Sequence, residues 1–499
     1  MNHARLLHEL LDERARTSPD AVAVTAAEIS LTQAELRQAS LRLAGWLTAL
    51  GVRRGDRVAV RLPSSVLVPA VLYAVSRIGA AFCVLHEQVR APALEHVLSD
   101  LEPVVFLTGD RDVLPHSGTA VHGAGDIARA AAEHPPATDV TPVRGTDPVC
   151  LIYTSGSTSR PKAVLTEQRQ LMFAVRAIHA EIGYTPADIV FVPLPLAFDY
   201  GLYQLFLGAL GGAHIHLGAP AEGGAALLRG VERARATVLA ATPPIAETLV
   251  WLLDRARTRP DALRLITTTG AALSAPTARA LRAALPGVRL QIMYGLTECK
   301  RVSIMPPDED LRRPGASGRA LPGTEVIVAG PDGAALPIGE IGEFVVRGPH
   351  VMAGYWRRAA LTEQTFGTAP DGERFLRTGD FGWLDADGYL YVDGRRDDVY
   401  KERGHRVSVL EIEAAARAVP EVRSAVVVPP GAGGSAVLVV SGPVVPAALL
   451  VRLRALIEPY KVPRECVVLD ELPLTPNRKV DRRAVAELVR SRQREFVQP

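Results

Sequence analysis

Short β-branched, apolar runs alternate with Ala/Leu/Arg-rich segments of helical period along most of the chain, and this rhythm limits the fold more than any other feature. Strands are expected at Arg57–Arg61, Val104–Leu107, Val190–Pro193, Thr237–Ala240 and Leu263–Thr267. Helices are expected at Gln33–Leu50, Gln168–Ile182, Ile245–Ala256 and Pro276–Ala284. Such alternation implies α/β layers with largely parallel sheets. After about Arg319 the texture changes. Glu325–Val328, Glu343–Arg347 and Tyr389–Val392 read as strands between Gly/Pro/Asp turns, a smaller β-rich subdomain. The polar stretch Asp393–Asp398 (DGRRDD) reads as a linker. Beyond it come a helix at Leu410–Val419, strands at Ser424–Val428 and Ala436–Val440, and a helix at Ala447–Leu456. The glycines Gly431–Gly434 form a hairpin or loop. The expected fold class is therefore α/β: a large N-terminal domain of layered sheets with a β-rich subdomain (1–396), then a small α+β C-terminal domain (397–499).

Composition narrows the function. A chain of 499 residues exceeds one simple core and suggests two or three domains. Its net charge of +2 argues against a dedicated nucleic-acid binder. The N-terminal twenty residues are charged throughout, which argues against a signal peptide. The apolar stretch Val66–Leu85 is broken by Pro69, Ser76, Arg77 and Gly79, so a buried helix and strand are expected rather than a membrane span. Cys83, Cys150, Cys299 and Cys466 lie far apart, without disulfide or metal spacing, which fits a reducing cytoplasm. His214 and His216 stand two apart with no third ligand nearby. Among 56 basic residues only five are lysine: Lys162, Lys300, Lys401, Lys461 and Lys479. Arginine cannot always replace lysine, so these positions merit attention.

Four motifs carry chemistry. In Leu151–Leu165 (LIYTSGSTSRPKAVL), an apolar strand leads into Thr154, Ser155, Gly156, Ser157 and Thr158, then Lys162. Hydroxyls, glycine-freed N–H groups and a lysine suit phosphate. No glycine directly precedes the lysine, so this is not a Walker loop. In Ile292–Lys300 (IMYGLTECK), Thr297 and Glu298 leave a strand end, where α/β ligand sites lie. Glu298 suits Mg²⁺ held through phosphate, or simply a helix start. In RTGD, Asp380 follows a glycine turn and suits ribose hydroxyls or an Asx turn. The fourth, PLTPNRKVDRR, places Lys479 in a Pro/Asn turn.

In this order and spacing the four motifs resemble the adenylate-forming superfamily of acyl-CoA synthetases, nonribosomal adenylation domains and luciferases. The likeness runs from Leu31–Leu36 to Asp481 and is closest to stand-alone amino-acid adenylation enzymes. It implies a small mobile C-terminal domain that swings over the larger one, with ATP and Mg²⁺ as cofactors. Thr154–Thr158 and Lys162 would hold the β/γ-phosphates. Gly270, Ala271, Ala272 and Tyr294 would frame the adenine. Thr297 and Glu298 would serve the α-phosphate and Mg²⁺. Asp380 and Arg395 would take the ribose, Asp397 would be the hinge, and Lys479 the adenylation lysine. Ser159 and Ala163 replace glycines usual in the family, which stiffens the loop without removing a phosphate ligand.

By the same resemblance Asp199 falls where amino-acid-activating members pair the substrate amino group. A carboxylate among apolar neighbours needs a cation; alternatively it caps the following helix. Tyr200, Tyr203, Thr267, Thr269, Met293, Arg301 and Val302 would be pocket neighbours. Bulky Tyr203 and Met293 favour a small amino acid such as alanine, glycine or proline, or a β-amino acid. Arg301 either meets a second carboxylate or faces out, and Lys300 has no role in the resemblance. No carrier domain follows Lys479, so the expected thiol acceptor is an acyl or peptidyl carrier protein in trans, or coenzyme A. Arg403, Arg406, Arg452, Arg454, Arg482 and Arg483 offer a basic face for an acidic carrier, or a solvated surface. The expectation is a cytoplasmic acid–thiol ligase of secondary metabolism; an acyl- or aryl-CoA synthetase is the near alternative. Lys162, Glu298, Asp380 and Lys479 argue against a non-catalytic scaffold.

Overall fold

The computed structural model describes residues 4–87, 89, 91–109, 119–137, 142–154, 161–395, 399–402, 405–430, 435–457, 461–475 and 479–495. The fold is mixed α/β. Toward one end of the larger sheet, six strands run parallel in the order Val22–Ala26, His214–Leu217, Ile189–Val192, Val238–Ala241, Leu265–Thr268 and Arg289–Tyr294. Ile189–Val192 and Val238–Ala241 are short, continuously apolar runs, and Val238–Ala241 and Leu265–Thr268 are buried along their whole length, as strands covered by helices on each side must be. A second sheet orders Gly354–Tyr355, Lys162–Glu167, Pro148–Thr154, Ala81–Val84, Arg57–Arg61, Val105–Thr108 and Ala120–Gly123. One continuous core joins the two sheets through the helices Leu7–Thr17, Gln33–Ala49, Leu67–Ile78, Gln168–Ile182 and Asp199–Gly211. Leu67–Ile78 and Ala81–Val84 are the helix and strand expected of the apolar stretch. Among the described residues, no helix is long and apolar enough to cross a membrane.

At Tyr294 the larger sheet changes character. Ser303–Ile304 returns antiparallel to Arg289–Tyr294. Ala316–Ala320, Tyr389–Arg395, Arg374–Leu384, Gly342–Arg347 and Glu325–Ala329 then continue the antiparallel pairing. The β-rich region is therefore an antiparallel extension of the main sheet, with its own core around Phe344, Val346, Leu376 and Leu390. One expectation needs correction. Asp393, Gly394 and Arg395 are not linker but the end of a strand, because Phe381 pairs with Gly394 and Asp380 with Arg395. The polar side chains misled because this strand end serves a charged cluster rather than a core. Residues 396–398, with Asp397, and the glycines Gly431–Gly434 lie outside the described residues.

The C-terminal region centres on the strands Ser424–Val428, Val437–Ser441 and Glu465–Leu469. Their alternation sorts two faces. Ala425, Val427, Leu438 and Val440 pack with the helices Val409–Arg417 and Pro446–Leu453. Val426, Val437 and Val439 pack with Val485 and Val489 of the helix Arg482–Glu495.

One carboxylate ties the starts of the parallel strands. Asp188, 2% exposed, accepts from the Thr185 N–H (2.9 Å), the Thr237 hydroxyl (2.9 Å) and Arg264 Nε and Nη2 (2.8 and 2.7 Å). Its backbone carbonyl also accepts from His214 N–H at 3.0 Å. Burial pushes its pKa up, but these hydrogen bonds outweigh burial and hold it below the ordinary carboxylate value. A depressed folded pKa gives stability present above the unfolded value, about 3.9, and lost as pH falls through the folded value. Asp188→Asn is expected to cost about 2–3 kcal/mol near neutral pH. Urea melts should show that deficit shrinking below about pH 4; a deficit unchanged down to pH 2 would exclude this role.

Candidate active site

The loops that carry the candidate residues leave the carboxyl ends of neighbouring parallel strands, where α/β sheets place ligands. Asp199 follows Ile189–Val192, Gly270 follows Leu265–Thr268, and Gly295–Arg301 follows Arg289–Tyr294. The last loop turns back sharply on itself. A Cβ at residue 295 would lie 2.3 Å from the Lys300 carbonyl oxygen and 2.8 Å from Arg301 Cα, so only glycine fits. The Cys299 N–H donates to Leu296 O, the Arg301 N–H to Cys299 O and the Val302 N–H to Tyr294 O. Lys300 completes the turn at φ +66°, a left-handed conformation costly for a residue with a Cβ.

This turn sends neighbouring side chains to different places. Glu298 Oε1 accepts from the Tyr355 hydroxyl at 2.7 Å, and Lys162 Nζ lies 3.9 Å from the centre of the same Tyr355 ring. Burial holds the Lys162 ammonium below the ordinary lysine range, with Glu298 opposing that shift. Nearby, Asp380 accepts from the Tyr294 hydroxyl at 2.5 Å and from Arg395 Nε at 2.9 Å.

Lys300 instead points inward and is 1% exposed. Its Nζ lies 5.5 Å from the Tyr203 ring centre and has no hydrogen-bond partner among the described residues. Burial lowers its pKa, with Asp199 opposing most strongly. Arg301 also faces in, 6% exposed. Its Nη1 donates to the Lys300 carbonyl at 2.6 Å and its guanidinium sits 5.0 Å from the Tyr200 ring centre. These residues line a recess with Asp199, Tyr203 and Met293, between the helices Gln168–Ile182 and Asp199–Gly211. Its free volume is about 10 Å³, room for roughly one water.

Asp199 is 5% exposed and opens its helix, but Phe198 occupies the N-cap position and no side chain there makes a capping bond. No described residue gives the Asp199 carboxylate a hydrogen bond or ion pair. The alternative of a helix cap is therefore not what the geometry shows. From the C-terminal region, Lys479 Nζ reaches to 5.0 Å from the Phe198 ring centre. A Cβ at Gly270, which has φ +94°, would lie 3.1 Å from Lys479 Cε. Burial lowers the Lys479 pKa; Asp199 opposes this, and Arg301 and Arg395 add to it.

Other candidates fall as follows. Thr154 ends its strand beside Lys162, while Ser155, Gly156, Ser157 and Thr158 lie outside the described residues. Ala271 and Ala272 are exposed, Thr269 is buried and Thr297 half-buried. Tyr200 donates its hydroxyl to Thr267 O at 2.8 Å, so that hydroxyl is already used. Tyr355 and Phe198 were missed; neither stands in a motif, and only the fold brings them in. Three residues of the expected basic face are paired with acids: Arg452 with Glu421, Arg482 with Glu413 and Arg483 with Glu487. Arg403 lies outside the described residues. Among the described residues, no three His, Cys, Asp or Glu gather as a metal cluster. A lone carboxylate at Glu298 still fits Mg²⁺, which is commonly held by one or two carboxylates together with substrate phosphates.

The family model described as AMP-binding enzyme matches residues 11–356, and the AMP-binding enzyme C-terminal domain matches residues 411–479. A plipastatin synthase of Bacillus subtilis (strain 168) is 31% identical over 494 residues, 96% of this chain but only 19% of that protein. Feruloyl-CoA synthase of Amycolatopsis sp is 33% identical over 488 residues, covering 94% of this chain and 96% of that one. The solved complex of VinN with L-aspartate is 36% identical with a TM-score of 0.71, covering 78% of this chain and 98% of that one.

The fold-back at Gly295 has a direct consequence. Gly295→Ala is expected to cost about 1–3 kcal/mol through overpacking against the Lys300 carbonyl. Gly287, where an added Cβ meets nothing within 4 Å, is the control and should be near neutral as alanine. Equal denaturant midpoints for the two variants would refute the close approach.

Proposed function

The chain belongs to the AMP-binding enzyme family and is an AMP-forming acid–thiol ligase, and on that premise we propose that it adenylates a small amino acid and passes the acyl group to the phosphopantetheine thiol of a separate carrier protein. The observation that carries the amino-acid reading is Asp199: a buried carboxylate without hydrogen bond or ion pair among the described residues, in the recess of the acid pocket. A buried carboxylate without a partner is costly, and a substrate ammonium supplies one. VinN's complex with L-aspartate supports an amino acid as the acid.

Within this reading, ATP lies along the strand ends. Thr154–Thr158 and Lys162 hold the β/γ-phosphates, Gly270, Ala271, Ala272 and Tyr294 frame the base, and Asp380 with Arg395 takes the ribose. Thr297 and Glu298 face the α-phosphate. Glu298 would hold a Mg²⁺ together with phosphate oxygens, and the ion would supply charge neutralisation. The region from residue 397 is the lid, turning at Asp397, in a cytoplasmic enzyme of natural-product biosynthesis.

The chemistry explains the lysine. A substrate carboxylate oxygen bonds to the α-phosphorus while the bond to pyrophosphate breaks. Anion attacks anion, and charge grows on the leaving group. Lys479, in reach of both the Asp199 side and the ATP side, offsets that charge as a compact ammonium. In the second step a thiolate attacks the acyl carbon and AMP departs, which does not require Lys479.

ATP–pyrophosphate exchange across amino acids and simple acids tests the reading. Stimulation is expected from small amino acids; stimulation solely by acids without an amino group defeats it and favours the acyl-CoA synthetase reading, which full-length similarity to feruloyl-CoA synthase also supports. Lys479→Ala should lower exchange by at least about 100-fold while sparing thioester formation from supplied acyl-adenylate. Equal loss in both half-reactions would contradict the assigned role.

A further inference from the structure

Three buried polar atoms in the acid recess have no hydrogen-bond partner among the described residues: Lys300 Nζ, Arg301 Nε and the Tyr203 hydroxyl. Buried polar groups are almost always paired, so three orphans in one recess require a reason. Lysine and arginine only donate, and a tyrosine hydroxyl also donates. The recess therefore has a surplus of donors, and two of the three carry positive charge. The group that satisfies them is acceptor-rich and anionic, and a carboxylate is the smallest common one.

We propose that Lys300, Arg301 and Tyr203 form an anion subsite and that the acid activated is an amino dicarboxylic acid of aspartate length. Its ammonium faces Asp199, one carboxylate enters the subsite, and the other is presented to Lys479 for adenylation. This rests on the amino-acid reading above and names the substrate class within it.

Charge counting separates this class from its neighbours. The recess holds two cations and one carboxylate. A monocarboxylic amino acid uses its carboxylate at the reacting end and brings an ammonium, which leaves two buried cations unopposed. A dicarboxylic acid without nitrogen fills the subsite but supplies no cation for Asp199. An amino dicarboxylic acid gives Asp199 an ammonium and gives Lys300 and Arg301 one carboxylate to share. Length is limited as well: free volume is about 10 Å³ and Tyr203 and Met293 line the recess, so a carboxylate enters by displacing these side chains and a long spacer does not fit. The left-handed backbone at Lys300 fits a residue held in place for binding rather than for folding.

The test is exchange kinetics with L-aspartate, L-asparagine, L-alanine and succinate, on wild type and Lys300→Met. For the wild type, kcat/KM for aspartate should exceed that for alanine and asparagine by at least about 100-fold, since a site left with unpaired buried donors rejects the analogue strongly. Lys300→Met should lower kcat/KM for aspartate by at least about 100-fold. Its unliganded melting temperature should stay equal or rise, because a buried unpaired charge is replaced by an apolar chain. A lysine that serves only the fold would lower the melting temperature and leave the aspartate preference intact, which overturns the proposal. Alanine or asparagine matching aspartate removes the subsite but keeps the amino-acid reading. Succinate matching aspartate removes the amino-acid reading but keeps the subsite. No stimulation by aspartate overturns the proposal outright.

Discussion

The close approach of two backbone segments at Gly295 sets the shape of the site. A strand that has run parallel with its neighbours leaves the sheet at Tyr294, folds against itself, and returns antiparallel at Ser303. That reversal does two jobs. It converts the parallel sheet into the antiparallel extension that carries Asp380 and Arg395. It also splits adjacent side chains, Glu298 toward Tyr355 and Lys300 toward Tyr203. Two chemically different compartments are thus built from one short loop, and any residue with a Cβ at position 295 would disturb both.

The opposite ends of the parallel strands explain why such a loop can be held in place. Asp188 draws together the starts of the strands through Thr185, Thr237 and Arg264. With the starts tied and the strand bodies buried, the carboxyl ends are left to carry irregular backbone and polar groups. Sites on loops that leave rigid elements keep their geometry better than sites on free loops. Lys479 differs, since it arrives from the C-terminal region. Burial and the cations Arg301 and Arg395 disfavour its charge there, and Asp199 favours it. Added negative charge in the pocket shifts that balance toward the charged, inserted lysine.

Much of the architecture could be read from residue pattern because periodicity reports burial directly. The helix Gln168–Ile182 and the strands Arg57–Arg61 and Ser424–Val428 begin and end where their patterns do. Where pattern and burial part, reading failed. Asp393–Arg395 looks like linker because its side chains are polar, yet its backbone completes a ladder. The continuity of the β-rich region with the main sheet depends on pairing between distant strands, which no local pattern encodes. Asp199 was ambiguous between cap and ligand because the two differ by one residue of helix start; Phe198 takes the cap position. Lys300 was opaque for a different reason: lysine is almost never fully buried, so its inward aim runs against composition.

The preference for arginine elsewhere in the chain sharpens what the remaining lysines share. Lys162 sits over an aromatic ring, Lys461 bonds Glu411 at 2.7 Å, and Lys300 and Lys479 each end beside an aromatic face near Asp199. An ammonium is compact and can be surrounded, whereas a guanidinium is a wide planar fork with five donors to satisfy. At position 300 the recess has too little space for that fork. At position 301 the fork is useful, because one arm holds the Lys300 carbonyl at 2.6 Å while Nε has no partner among the described residues. Arginine thus fixes the turn that aims its neighbour, and lysine supplies the point charge. Exchanging the two residues would keep the net charge and lose both functions.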